Sequence, residues 1–387
     1  MKIRIKRVVL NNILFILASL LISILFAEIM VRTLYPQPLY NKHNPEHPDF
    51  PEFINFTEIG GLSRPNLDIL RYGEANRLFR VRTNSQGFRS DYDFSLQKNP
   101  KKRILFFGDS VMFGDGLDQD QALPAVIERM NPDVESYNFG VAAFSLGQAY
   151  LLFRQNLNYK PDVVIVSIFT NDIINEFPNN NRYGNPFFVF NGTSLILYRY
   201  PSVYNEEELN NAREQHKVYK YSGHDRMLRS YSHLYVLLCK IFNSKSNQKY
   251  PDAKFHPRYQ YYLKQPSPEI QNSVLTLCAL ANEFKVQTDK INSTLVFMYV
   301  PDPVEIDPEE RINAINADAL HYDPNDFDFG IIASYFNTCF RNQNISYVDI
   351  YSLFVNEPNP KLLYNHLGSH WTPFGVTKVA EKLQTLI

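Results

Sequence analysis

Two residues far apart in the chain have the types needed for nucleophilic chemistry. Ser110 follows Gly108 and Asp109 at the end of the apolar run 104–107, and His370 sits in Gly368-Ser-His-Trp-Thr-Pro-Phe-Gly375 near the C-terminus. A serine hydroxyl attacks well only when a base takes its proton, and a neutral imidazole is suited to that task near pH 7. A serine at the carboxyl end of a strand, opening a helix, also aims its backbone N–H outward, where it can hold a developing oxyanion. On its own, Gly-Asp-Ser reads first as a turn followed by a serine N-cap.

Such chemistry needs a rigid scaffold, and the chain has the pattern for one. The runs 104–107, 163–169 and 294–300 are apolar without alternation, as in strands buried on both faces. Helical stretches at 123–130, 148–157 and 273–291 separate them, which implies an α/β fold with a covered parallel sheet. A hydrophobic share of 44% is enough for a large core and excludes general disorder. Thirty-nine basic residues against 40 acidic ones give a net charge of -1, without the basic footprint of a nucleic-acid binder. Cys239, Cys278 and Cys339 lack CxxC spacing. They are expected to be small buried apolar residues, with one bridge plus one free thiol as the alternative.

Lys2, Arg4, Lys6 and Arg7 precede the apolar run 8–31, which is interrupted by Asn11, Asn12, Ser19, Ser23 and Glu28. At ~1.5 Å per residue this run can cross a ~30 Å hydrocarbon core. Leu25, two places before Ala27, spoils a small-x-small cleavage site, so an uncleaved anchor is expected rather than a signal peptide. The basic tail 1–7 would stay cytoplasmic and the remainder would lie outside. Residues 32–75 carry Pro36, Pro38, Pro45, Pro48, Pro51 and Pro65, and read as an extended connector rather than regular structure. Residues 76–387 form the domain. Within it, 176–268 reads as an insertion or cap over the sheet's edge, containing a short helix at 233–242. Asn191-Gly192 between two strand-like runs predicts a type I′ hairpin.

Four stretches bear on function in chain order. They are Phe107-Gly-Asp-Ser-Val-Met-Phe-Gly114, Tyr137-Asn-Phe-Gly-Val-Ala-Ala-Phe-Ser145, Pro161-Asp-Val-Val-Ile-Val-Ser-Ile-Phe-Thr-Asn-Asp172 and the segment around His370. Together they resemble the blocks of the SGNH/GDSL-type serine hydrolases. Thr83-Asn-Ser-Gln-Gly-Phe-Arg89 resembles a stretch that precedes the first block in membrane-anchored bacterial members. The resemblance covers roughly 80–387. It implies a three-layer α/β/α flavodoxin-like domain with an insertion, plus one N-terminal transmembrane helix.

Carried over by position, the resemblance makes Ser110 the nucleophile and His370 the general base. The Asn171 side chain and the Ala143 N–H become oxyanion donors, with Ala143 standing where the family has glycine and Gly140 less suited. Asp109 and Asp172 are expected to tie down their turns. Phe169 replaces a usual glycine, and Leu367 occupies the place of the family's orienting acid. An orienter is then expected from a backbone carbonyl, His366, Asp302 or Asp349, and losing it altogether would cost ~10³–10⁴ in rate. His366 and His370 have the spacing of a helical metal pair, but Gly368 and Pro373 argue against a helix, so no metal or other cofactor is expected. The implied reaction is acyl transfer from acetylated carbohydrate, or another small ester, to water or a sugar hydroxyl. The alternative is a non-catalytic glycan-binding or polysaccharide-assembly protein that keeps the fold.

Overall fold

A computed structural model describes residues 2–34, 54–72, 78–175, 185–201, 227–228, 231–244, 257–312, 323–365 and 368–387. The first helix, α1 (Lys2–Leu34), is long and apolar enough over Asn11–Leu34 to cross a membrane. β1 (Ile54–Thr57) pairs with β2 (Gly60–Ser63), and β3 (Asp68–Tyr72) with β4 (Leu78–Arg82), both antiparallel. These hairpins replace the irregular connector expected there. The prolines account for the difference: Pro65 falls between the hairpins, the strands contain none, and the other five lie in 35–53, outside the described residues.

The domain then alternates strand and helix. β5 (Lys102–Gly108) leads into α2 (Ser110–Phe113) and α3 (Leu123–Met130), then β6 (Val134–Gly140) into α4 (Leu146–Gln155). β7 (Val163–Phe169) is followed by α5 (Asp172–Asn175), the pair β8 (Phe187–Phe190) and β9 (Leu195–Tyr198), and α6 (His233–Ser244). α7 (Pro268–Lys290) feeds β10 (Thr294–Val300), α8 (Pro303–Ile306) and α9 (Ile331–Asn342). β11 (Ser346–Asp349), α10 (Ile350–Val355) and α11 (Pro373–Leu383) complete the chain.

Five strands form one parallel sheet in the order β11-β10-β7-β5-β6. Numbered by their own succession this is the flavodoxin-like order, with its switch point between β5 and β7. The unbroken apolar runs are explained by two cores. Leu105, Phe107, Val164, Val166 and Phe297 pack beneath α4, α7 and α9, while Ile104, Phe106, Ile165, Val296 and Met298 pack beneath α3, α10 and α11. The three layers are therefore α/β/α. β6 and β11 lie at the sheet's two edges, and β6 carries Glu135, Ser136 and Asn138, which hide it from an apolar-run search.

Two expectations need correction. The β8–β9 hairpin turns through four residues, 191–194, rather than two. The Asn191 side-chain oxygen accepts the N–H groups of Thr193 and Ser194 at 3.0 and 2.9 Å, so only Gly192 takes positive φ. This hairpin lies on α7 and α4 rather than over the sheet's edge: the Phe190 N–H donates to Thr276 Oγ1 at 3.0 Å, and the Phe188 ring packs beside Tyr150. Nor are the three cysteines all simple apolar residues. Cys278 of α7 and Cys339 of α9 face each other with Cα atoms 6.0 Å apart and are joined as a disulfide, leaving Cys239 free.

Candidate active site

Ser110 stands at the switch point, and close backbone approaches put it there. Gly108 ends β5 with φ 154, and a Cβ at that position would collide with the Ser167 hydroxyl. Asp109 caps α2 by accepting the Val111 N–H at 3.0 Å. Burial pushes the Asp109 carboxyl above its ordinary value, while the Val111 N–H, the nearby His370 and the Asn171 side chain pull it back down. Gly140, at the end of β6, lies so close to α2 that a Cβ would strike the Phe113 backbone nitrogen.

The far end of α2 is held by Arg89, which is buried. Its guanidinium donates to the Phe113 carbonyl at 3.0 Å, to the carbonyls of Gly114 and Leu117, and to Gln119 Oε1 at 3.1 Å. Of these, the Gly114 carbonyl also accepts the Leu117 N–H at 3.2 Å and the Phe113 carbonyl Asn138 Nδ2 at 3.5 Å, whereas the Leu117 carbonyl depends on Arg89 among the described residues. Sequence reasoning singled out the 83–89 stretch but assigned Arg89 no work. These partners are carbonyls and an amide 24 to 30 residues further on, and the nearby Asp91 pairs with Arg82 instead, so the local sequence gives no sign of what Arg89 binds.

His370 arrives from the other end of the chain on a tight reversal. Tyr364 and Trp371 form an antiparallel bridge, and the Asn365 N–H donates to the His370 carbonyl at 2.8 Å. The Tyr364 hydroxyl donates to the Pro301 carbonyl at 2.7 Å, fixing the reversal to the end of β10. The result brings His370 Nε2 within 2.8 Å of Ser110 Oγ, across 260 residues of sequence.

The proposed donors converge on the same edge. Val141 donates to the Gly108 carbonyl at 3.0 Å, and Phe144 closes a turn back to Val141 at 3.1 Å. Inside that turn Ala143 takes φ 67, a left-handed conformation rare for a residue with a Cβ. The N–H groups of Ala143 and Ser110 have no partner among the described residues. The Gly140 N–H, by contrast, is occupied by Asn138 Oδ1 at 2.9 Å. Asn171 follows β7 with its amide facing the Asp109 carboxyl. Asp172 binds the N–H groups of Leu146 and Phe169, both at 2.9 Å, joining the β7 end to α4.

The candidates for orienting His370 separate. Asp349 is committed elsewhere: it caps α10 through the Ser352 N–H at 2.9 Å and accepts Asn337 Nδ2 at 3.2 Å. Its position at the end of β11, an edge strand, makes it the cap of α10. Asp302 is buried, caps α8, and lines a cleft of about 450 Å³ together with Asn365 and Gly368 of the histidine segment. His366 and Leu367 lie outside the described residues.

A second buried group was not foreseen. Glu305 Oε1 accepts from Tyr299 at 2.6 Å, Tyr262 at 3.0 Å, Thr170 at 3.1 Å and the Asp302 N–H at 2.7 Å. Burial pushes its carboxyl up to about 8. The cluster ties Thr170, next to Asn171, to Asp302. Its sequence signal is the Asp302-x-x-Glu305 capping box, which marks a helix start but not the burial beneath it.

A three-layer α/β/α protein with a serine–histidine pair at its switch point is the class that fold and site define. No family model and no curated protein matches the chain. Among solved structures it overlaps the lipase/acylhydrolase from Enterococcus faecalis at 11% identity and TM-score 0.37, covering 74% of this chain and 95% of that one. It also overlaps a catalytic mutant of Axe2, an acetylxylan esterase from Geobacillus stearothermophilus, at 11% identity and TM-score 0.37, with coverages of 75% and 95%. A GDSL-like lipase from Bacteroides thetaiotaomicron gives 12% identity and TM-score 0.36, with coverages of 76% and 90%. Overlaps this distant carry no argument about activity, which has to rest on the site itself.

Proposed function

We propose that the chain is an SGNH-type serine esterase or O-acyltransferase, held outside the membrane by α1 and acting on acyl esters of carbohydrate, acetyl esters foremost. The 2.8 Å contact between His370 Nε2 and Ser110 Oγ carries this reading. As Ser110 Oγ attacks the ester carbonyl, His370 takes its proton, and the oxyanion is met by the N–H groups of Ser110 and Ala143 with the Asn171 amide. The proton then passes to the leaving alcohol, leaving an acyl ester on Ser110. Water, or a sugar hydroxyl deprotonated by the same imidazole, releases the acyl group. The Cys278–Cys339 bridge supports an oxidising compartment outside the cytoplasm, and the basic residues before α1 support an orientation with the N-terminus inside.

The test is labelling by a fluorophosphonate together with acetyl-ester turnover. Ser110→Ala should abolish labelling and activity, and His370→Ala should lower kcat by ~10³-fold or more. Ester hydrolysis that survives Ser110→Ala would end the serine mechanism.

A further inference from the structure

The hydrolytic reading leaves the outer end of α1 unexplained. There Ala27, Glu28 and Val31 are half-buried while Phe26, Ile29 and Met30 stay exposed, and α6 packs on this stripe. The contact is specific. Glu28 Oε2 accepts Ser232 Oγ and the Leu234 N–H, both at 2.8 Å, and Glu28 Oε1 accepts the His233 N–H at 2.9 Å. A side chain of the apolar helix thus caps the N-terminus of α6, serving donors the helix cannot satisfy itself. Arg32 joins Glu28 to the Tyr231 carbonyl at 3.2 and 2.8 Å.

A carboxylate near the end of a membrane-crossing helix is costly unless donors surround it, and here they do. Glu28 lies six residues before Leu34, about 9 Å from the end of α1 at ~1.5 Å per residue. With the span taken to end at Leu34, Glu28 stands at the depth at which interfacial helices lie, roughly 5–10 Å into the headgroup and acyl boundary. Beside this junction Met227, Leu228, Tyr231 and Leu238 are exposed, Tyr231 at 73%. In the sequence Arg226, Arg229 and Lys240 interleave these apolar residues, the composition of a segment that lies on a membrane.

We infer that Met227, Leu228 and residues 231–239 form a second membrane contact, in which α6 and these residues before it lie in the outer interface of the bilayer that α1 crosses, clamped there by Glu28. The occupant of the apolar patch is lipid, because the patch continues the exposed apolar surface of α1 itself. This inference rests on the anchor reading and adds a second point of hold, which fixes how the domain stands on the membrane.

Trp371 is the chain's one tryptophan and is buried, so an added tryptophan at the surface reports its own surroundings. The full chain is placed in phosphatidylcholine vesicles with brominated acyl chains, carrying Leu238→Trp, Leu20→Trp, or Tyr335→Trp on the exposed face of α9. Leu238→Trp and Leu20→Trp should each lose most of the added emission, while Tyr335→Trp keeps it. Adding Glu28→Ala should restore emission at Leu238→Trp and leave Leu20→Trp quenched. If Leu20→Trp is quenched but Leu238→Trp behaves like Tyr335→Trp, the second contact is wrong and the anchor stands. An unquenched Leu20→Trp removes the anchor and this inference with it. Quenching at Leu238→Trp that ignores Glu28→Ala overturns the clamp.

Discussion

The two partners of the Ser110–His370 contact are held in unlike ways. Around Ser110 the constraints are steric and backbone-borne: two glycines at positions closed to a Cβ, a capping aspartate and a buried guanidinium on the helix end. Around His370 the described constraints are mostly hydrogen bonds and burial: a short antiparallel reversal, the Tyr364 hydroxyl, Asn365 Nδ2 donating to the Trp371 carbonyl at 3.1 Å, and the buried ring of Trp371. One glycine there, Gly375, is closed to a Cβ by the Leu363 carbonyl. The nucleophile is fixed because its neighbours leave no other place for it. The base is fixed by an apolar plug and a few polar bonds, each worth about 1 kcal/mol. Damage on the nucleophile side should therefore cost more, and substitutions on the two sides test this.

Arg89→Met should have the largest effect on turnover. It removes the charged donor from the carbonyls of Phe113, Gly114 and Leu117, and leaves the Leu117 carbonyl with no other donor among the described residues. At ~1–3 kcal/mol for an orphaned buried group, partly offset by relaxation, about 3 kcal/mol of stability should go, and kcat should fall with it. Denaturant unfolding and acetyl-ester turnover measure the two. A variant as stable as the parent would show that the α2 end needs no such support.

Glu305→Gln comes next and is read through pH. The folded carboxyl titrates at about 8, well above its ordinary value of 4.5, so between those values the folded state holds a proton the unfolded chain has released. Stability should then fall as pH rises across that window, by up to about 1.4 kcal/mol per pH unit, and level off above it. Glu305→Gln should remove that slope while keeping the oxygen that Tyr299 and Tyr262 bind. A parent whose stability is flat from pH 5 to about 8 would mean that Glu305 is ionised when folded.

How much of this was legible in the sequence follows from the range over which each feature is encoded. The buried strands 163–169 and 294–300 match β7 and β10 because a strand covered on both faces must be apolar throughout. β11 was missed because four residues at an edge leave too short a run, and β6 because it carries polar side chains. At the site, Ser110 and His370 could be named from their own segments, and the structure brings them together. Arg89 meets the Phe113 carbonyl 24 positions away, and Glu305 meets Tyr262 and Thr170 43 and 135 positions away, with no spacing rule to reveal those contacts. The Cys278–Cys339 bridge was hidden for the same reason, since its geometry exists only once α7 packs on α9.

On the histidine side, Tyr364→Phe removes the hydroxyl that binds the Pro301 carbonyl but keeps the ring. About 1 kcal/mol of stability should be lost. A loosened His370 should lower kcat within about tenfold, with KM little changed, because the ester is still bound and only proton transfer suffers. A shift in KM alone would place Tyr364 in the substrate cleft rather than in the support of the base.

The smallest effect belongs to Ala143→Gly, and its sign is what matters. A left-handed residue with a Cβ costs roughly 1–2 kcal/mol, and φ 67 at Ala143 is such a residue. Glycine relieves that strain, but it also gives the unfolded chain freedom worth about 0.4–1 kcal/mol. The variant should gain less than about 1 kcal/mol in stability by this difference. Its turnover should not change, since the donor is the backbone N–H, which glycine keeps, and the turn is closed by the bond from Phe144 to Val141. Kinetics and melting of the one variant decide between two accounts of the same residue. Higher stability with unchanged kcat means the strain is tolerated to hold an oxyanion donor in place. Lower kcat with unchanged stability means the Ala143 methyl itself meets the substrate, and the donor role would then need another N–H.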